Sequence, residues 1–185
     1  MNRRTMLKAF AALAGAGART ASAAASPASM KDIEALQKNW HSFLPAGAVV
    51  PSPTEPLKLT KDEWRKRLPA DSFRVLREEG TEIAGTSPLN EEKRAGIFAC
   101  AGCGLPLFTS DMKFDSGTGW PSFFTTIPGV FETKKDRFLI YERTEYHCAR
   151  CGGHHGHVFE DGPAPTGLRY CNNGVALRFM PKQGA

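Results

Sequence analysis

Long apolar runs, net charge and cysteine are all in short supply in this 185-residue chain. The most apolar stretch near its start, residues 9–18, falls short of the roughly 20 residues that cross a bilayer, so no stable membrane anchor is expected. The formal charge of +5 is concentrated at one end. Residues 1–25 carry four of the 24 basic side chains and no acid, which leaves 20 basic against 19 acidic. Without a basic surplus there is no electrostatic case for nucleic acid as a partner. Only five cysteines are present. Four form two CxxC pairs and one stands alone, so none is spare. Internal repeats are absent apart from those two pairs. The remaining composition, 41% apolar and 23% charged, is ordinary for a soluble domain long enough to bury a core.

The opening MNRRTMLKAFAALAGAGARTASAAA reads as an export signal over residues 1–25. A basic start (Arg3, Arg4, Lys8) precedes a mild apolar run, then small residues with A-x-A sites at 21–23 and 23–25. The stretch NRRTMLK resembles a twin-arginine signal, which is read by a receptor. That resemblance implies export in the folded state and a periplasmic location.

Residues 26–58 form an N-terminal segment, with a short helix expected over 32–40 and a proline-rich extended arm or linker over 45–56. The main domain is expected over 59–182. Thr60 and Glu63 have capping-box spacing and open a helix that Pro69 ends. A second helix fits residues 71–79, with Gly80 as its stop. Ser87 and Pro88 start a third, very short one. From Gly96 the pattern changes to GIFAC, GVFET, RFLIYERTEYHC, HVFED and GVALRFM, short apolar or aromatic runs between turn residues. Val175, Leu177 and Phe179 alternate as in a half-buried strand. The fold class is therefore mainly β behind short N-terminal helices.

The pairs CAGCG (Cys100, Cys103) and CARCG (Cys148, Cys151) are matching knuckles, each closed by a glycine, Gly104 or Gly152, that relieves the turn. Four converging thiolates make a closed tetrahedral zinc site with no open position for catalysis. The 44 residues between the pairs must then hold folded structure pinned at both ends. Two disulfides, or a redox-active CxxC, are the competing readings for an exported protein. Zinc is favoured because paired knuckles followed by glycine suit a metal, and folded export would let the cytoplasm load it.

Cys171, in GLRYCNNGVALRF, has no partner in this scheme. A lone cysteine is usually buried and inert. Here Arg169 lies two residues away, on the same face of a strand, where a guanidinium would lower the thiol pKa and favour the thiolate. Four of the five histidines fall in HCARCGGHHGHVF. With four cysteines completing a tetrahedron, His154 and His157, flanking a turn beside the second knuckle, are free for acid–base work; His147 and His155 carry less signal. In FDSGTGWPSFF, Gly117, Gly119 and Pro121 present Trp120 as a surface for an apolar or sulfur-bearing ligand. Trp40 and Trp64 are expected in the core.

With these pieces in order, the chain resembles the B-type methionine sulfoxide reductases, which reduce the R epimer. The resemblance rests on EWRKRLPADSFRVLREEGTE, CAGCGLPLF, KFDSGTGWPSF, CARCGGHHGHVFEDGP and GLRYCNNGVALRF. It implies two antiparallel sheets, a β-tent, and one structural zinc per chain on Cys100, Cys103, Cys148 and Cys151. It also implies Cys171 as nucleophile, Trp120 packing the substrate methyl group, and His154 and His157 positioning and protonating the sulfoxide oxygen. Arg169, Asn173 and Asp161 would tune and hold the site. Substrates would be oxidised proteins or free methionine sulfoxide. Many members have a cysteine where this chain has Thr118. A sulfenic acid on Cys171 would then need an external thiol, supplied by a thioredoxin-like partner. The reading from another class is a zinc-ribbon binding module, which leaves Cys171, Arg169 and the histidines idle.

Overall fold

The computed structural model describes residues 27–138 and 141–183. The expected signal at residues 1–25 lies outside the described residues.

Helix α1 (Met30–Lys38) opens on a capping box between Ser29 and Asp32 and is followed by a 3₁₀ turn at Trp40–Phe43. It starts earlier than the sequence suggests because Ser29 satisfies the first free amides. Helix α2 (Lys61–Arg67) has the expected box between Thr60 and Glu63. Helix α3 (Ala70–Glu78) ends on Glu79, not on Gly80: Glu79 takes the left-handed conformation, φ 53°. Ser87 caps a 3₁₀ turn at Pro88–Asn90.

Nine strands follow among the described residues. They are β1 (Gly96–Cys100), β2 (Pro106–Thr109), β3 (Lys113–Phe114), β4 (Ser122–Phe123), β5 (Phe131–Phe138), β6 (Tyr141–Cys148), β7 (His154–Phe159), β8 (Arg169–Asn172) and β9 (Leu177–Pro181). They form two antiparallel sheets, a three-stranded β2-β1-β9 and a six-stranded β3-β4-β8-β7-β6-β5. RFLIYERTEYHC is not one strand: it holds the end of β5 and all of β6. GVALRFM also divides, into a 3₁₀ turn at Gly174–Ala176 and then β9, so Val175 lies outside the strand.

Aromatic contacts join the sheets. Phe123 of β4 stacks on Phe108 of β2 at 3.9 Å and meets Phe98 of β1 edge-on at 5.1 Å. Each of these rings is fully buried, and burying one contributes about 1.5–3 kcal/mol. Strands β1 and β2 are buried along their whole length, so both faces of the small sheet are covered. The N-terminal segment supplies part of that cover. Leu36, Trp40, Phe43, Leu44, Leu57 and Leu59 pack against the core. The Leu57 amide donates to the Arg150 carbonyl at 2.7 Å, and Gln37 Nε2 donates to Thr125 Oγ1 at 2.8 Å. The proline-rich stretch is therefore held to the domain at both ends rather than extended as a free arm, because the flanking Leu44 and Leu57 are more stable buried than in water. Trp64 is a core residue, with the Arg77 guanidinium 4.5 Å above its ring; Trp40 is only half-buried.

Candidate active site

Cys171 sits in β8, between β4 and β7. Its partners in register are Ser122 and His157. Residues directly opposite on antiparallel strands share a face, with β-carbons about 4.5–5.5 Å apart. The row continues outward: His157 faces Glu145 of β6, which faces Lys134 of β5. Ser122, Cys171, His157, Glu145 and Lys134 thus form one line across five strands. The opposite face carries Phe123, Tyr170, Val158 and Tyr146 and is the core side. Core packing on that face fixes the register, and the register fixes the polar row.

His154 joins this row through a β-bulge. In an unbroken strand, residues three apart point to opposite faces. Here the β6–β7 register shifts between Tyr146 and His147, so His154 and His155 together oppose His147. The extra residue, His155, turns into the core and is fully buried, while His154 and His157 share the outer face with ring centroids 5.6 Å apart. The two histidines therefore lie on one strand, without the turn between them that the sequence suggested. At the bulge the backbones come close: a β-carbon on Gly156 would overlap the Cys171 carbonyl oxygen.

Each of these imidazoles meets a carboxylate. His154 Nδ1 is 2.8 Å from Glu145 Oε1, with both side chains buried, and Lys134 Nζ lies 3.0 Å from the other oxygen. His157 Nε2 is 2.9 Å from Asp136 Oδ2, which also accepts from Arg143 at 2.6 Å. Burial pushes the Glu145 carboxyl up, but the hydrogen bonds from His154 and Lys134 outweigh it and hold it below its usual value. Burial lowers the His157 pKa, and the contact with Asp136 opposes this only in part.

The surroundings of Cys171 explain its own titration. Burial raises the thiol pKa. The charge of Arg169, its hydrogen bond and a second hydrogen bond from Thr118 pull the other way without cancelling the rise. The guanidinium therefore acts in the expected direction, but the net shift is opposite to the one the sequence suggested. Arg169 is also largely committed elsewhere. It donates to both oxygens of Asp161, at 2.7 and 2.8 Å, and lies 4.3 Å above the Phe159 ring. Asp161 in turn spends both carboxylate oxygens on Arg169.

On the other flank a chain of hydroxyls leads from Thr118 to Ser116 at 2.8 Å and on to Ser122 at 2.7 Å. Thr118 thus touches the thiol through a hydroxyl. Trp120 ends this loop, half-buried, with Nε1 donating to the Glu82 carbonyl at 3.0 Å. The loop is tight because Gly119, at φ 87°, packs on Gly85, where any side chain would collide. A cleft of about 300 Å³ lined by Ser87, Asn90, Lys113 and Phe114 opens beside the indole.

Asn173 is buried, and both ends of its amide are engaged: Oδ1 accepts from the Glu82 amide and Nδ2 donates to the His155 carbonyl. Glu82 is a residue the sequence reading missed. Its buried carboxylate accepts from the Gly174 amide at 2.5 Å, so this one residue ties the Trp120 loop to the turn after Cys171. One glutamate of three in EEGTEIAG carries no signal of that role. Asp136 and Glu145 were missed too, because only strand register brings them to the histidines.

The four remaining cysteines converge at the far end of the sheets. Their sulfurs all lie within 4.8 Å of one another, with Cys100 to Cys151 at 3.7 Å and Cys103 to Cys148 at 3.5 Å. Four Zn–S bonds of about 2.3 Å in a tetrahedron put sulfurs roughly 3.8 Å apart, so the set fits a zinc ion. All five cysteines are free of disulfides. The knuckle glycines Gly104 and Gly152 take positive φ, 77° and 64°, as the tight turns require.

Residues 68–181 match the SelR domain. Among similar proteins, a "Peptide methionine sulfoxide reductase MsrB" of Leptospira interrogans serogroup Icterohaemorrhagiae serovar Lai (strain 56601) is 50% identical over 120 residues, 64% of this chain and 92% of that protein. One of the same description from Pseudomonas putida (strain W619) is 51% identical over 128 residues, 68% of this chain and 96% of its own length. "Peptide methionine sulfoxide reductase B1, chloroplastic" of Oryza sativa subsp. japonica is 47% identical over 132 residues, 71% and 62% of the two chains.

Proposed function

This chain belongs to the SelR-domain family of peptide methionine sulfoxide reductases, and from that membership we propose how its own residues carry the reaction. It is an oxidoreductase that reduces methionine sulfoxide. Cys171 is the nucleophile, since it is the only thiol outside the metal cluster. The observation that carries the reading is the register pair: His157 stands directly across from Cys171 on one face of the sheet.

The resting pair is a neutral thiol beside a neutral imidazole, because burial raises one pKa and lowers the other. When a sulfoxide binds, the thiol proton passes to His157 and the thiolate attacks the sulfoxide sulfur. His157 returns that proton to the oxygen, which passes as hydroxyl from the substrate sulfur to Cys171 Sγ while the transient bond between the two sulfurs breaks. The balance is one thiol and one sulfoxide giving one sulfenic acid and one thioether. Trp120 covers the methyl group, and Arg169, held by Asp161, stabilises the thiolate. His154, beside His157, completes the imidazole face that receives the oxygen. Asn173 holds the turn behind the nucleophile. Cys100, Cys103, Cys148 and Cys151 hold zinc, which when bound pins the two knuckles together and takes no part in the chemistry.

The substrate is the R epimer, free or within a polypeptide, and the cleft beside Trp120 leaves room for a flanking residue. The sulfenic acid condenses with an external thiol, releasing water, and a second thiol frees Cys171. A thioredoxin-like donor suits this step. The twin-arginine-like start supports export to a periplasm, where the enzyme repairs oxidised proteins. Assaying separated R and S epimers of a methionine sulfoxide peptide, with a small dithiol, tests the reading: turnover of the R epimer alone is expected, and turnover of neither overturns it. Mass spectrometry after one turnover tests the donor step. An intramolecular disulfide to Cys171 would exclude it.

A further inference from the structure

We propose that Asp136, backed by Arg143, is the positioning residue of His157: it fixes which ring nitrogen carries the proton and so makes the other one the acceptor for Cys171. This rests on the reading of His157 as the proton carrier. The carboxylate can only accept, so the contact at 2.9 Å requires a hydrogen on His157 Nε2. In the neutral ring the lone pair is then on Nδ1, the nitrogen left for the thiol proton. Arg143 donates to the same Asp136 oxygen at 2.6 Å, which keeps the carboxylate ionised and in place. The β5–β6 pairing sets Asp136 opposite Arg143, and both lie two residues along from the Lys134 and Glu145 pair on the same face.

Among the described residues, the charged and titratable groups facing His157 are few. They are Asp136 and Lys134 from β5, Arg143 and Glu145 from β6, Cys171 and Arg169 from β8, and His154 on its own strand. Glu145 is taken up by His154 and Lys134. Asp136 is thus the carboxylate that stabilises a proton on His157 while the thiolate exists.

Asp136→Asn in the full-length protein removes the charge and keeps the shape. At pH 7, kcat should fall about ten- to a hundredfold with KM within about twofold. The acid limb of the kcat/KM profile should move to lower pH, because the group that favours the imidazolium is gone. Direct NMR titration of the His157 ring should show the same downward shift. Asp136→Glu should restore part of both. Glu142→Gln, which breaks the Lys135–Glu142 pair on the same hairpin, should change neither. An Asp136→Asn enzyme with unaltered acid limb and unaltered His157 titration overturns the inference alone, provided His157→Gln is inactive. A fully active His157→Gln overturns the reading of His157 and the inference with it.

Discussion

The two thiol centres of this molecule contain the same functional group and do opposite things. At one end, four buried cysteines bring their sulfurs within 4.8 Å of one another, with the Arg77 guanidinium 3.8 Å from Cys151 Sγ at the edge of the cluster. In the middle of the large sheet, one half-buried cysteine faces a hydroxyl, an imidazole and a guanidinium. Sulfur beside sulfur makes a cation site that is closed to substrate. Sulfur beside proton carriers makes a nucleophile. What separates a structural from a reactive thiol here is the company that strand register and turn geometry provide.

That contrast can be broken most sharply by exchanging single atoms. Cys171→Ser should abolish reductase activity while circular dichroism and zinc content stay at the wild-type level. Cys100→Ser should do the reverse in kind, losing zinc and the cooperative thermal transition. Chelation of the metal comes next. Structural zinc contributes on the order of 10 kcal/mol or more in small domains, so Tm by calorimetry should fall by about 10 °C or more. A chelated protein that melts unchanged would remove the distinction between the two centres. His157→Gln should lower kcat about 10²- to 10⁴-fold in a steady-state assay, with Tm little changed.

A smaller effect concerns the thiol itself. Since burial raises the Cys171 pKa and Arg169 lowers it, Arg169→Met leaves burial less opposed. Alkylation of Cys171 by iodoacetamide should then need a higher pH. The smallest effect is on the core side of the same bulge. Burial pushes the His155 pKa from 6.5 down to about 3, and its Nε2 has no partner among the described residues. The unfolded chain binds the extra proton first, so stability is full above pH 6.5 and falls as the pH drops towards 3. The slope is at most about 1.4 kcal/mol per pH unit. Urea midpoints between pH 7 and 4 should show it, and His155→Phe should flatten it.

Much of this was legible in the sequence. Local chemistry announces itself: the knuckles with their glycines, the capping box at Thr60, the strand-rich second half and the solitary Cys171. The unread parts depend on contacts between residues far apart in the chain. Asp136 and Glu145 look like surface charges until β5, β6 and β7 are laid side by side. The turn expected around His154 and His157 is a strand, because a bulge has no composition of its own. The net titration of Cys171 reverses the expectation because Arg169 is visible in the sequence and desolvation is not. The leucines flanking the proline-rich segment are likewise only part of a linker until the small sheet needs a cover.

The bulge gives the spacing of the histidine pair a meaning in terms of parity. A strand is a two-sided object in which odd separations cross from one side to the other. His154 and His157 are three apart, an odd number, yet act from one side because one residue between them is not counted by the partner strand. Deleting a single residue there would restore the count, send one imidazole into the core and leave Cys171 with half of its acid–base face.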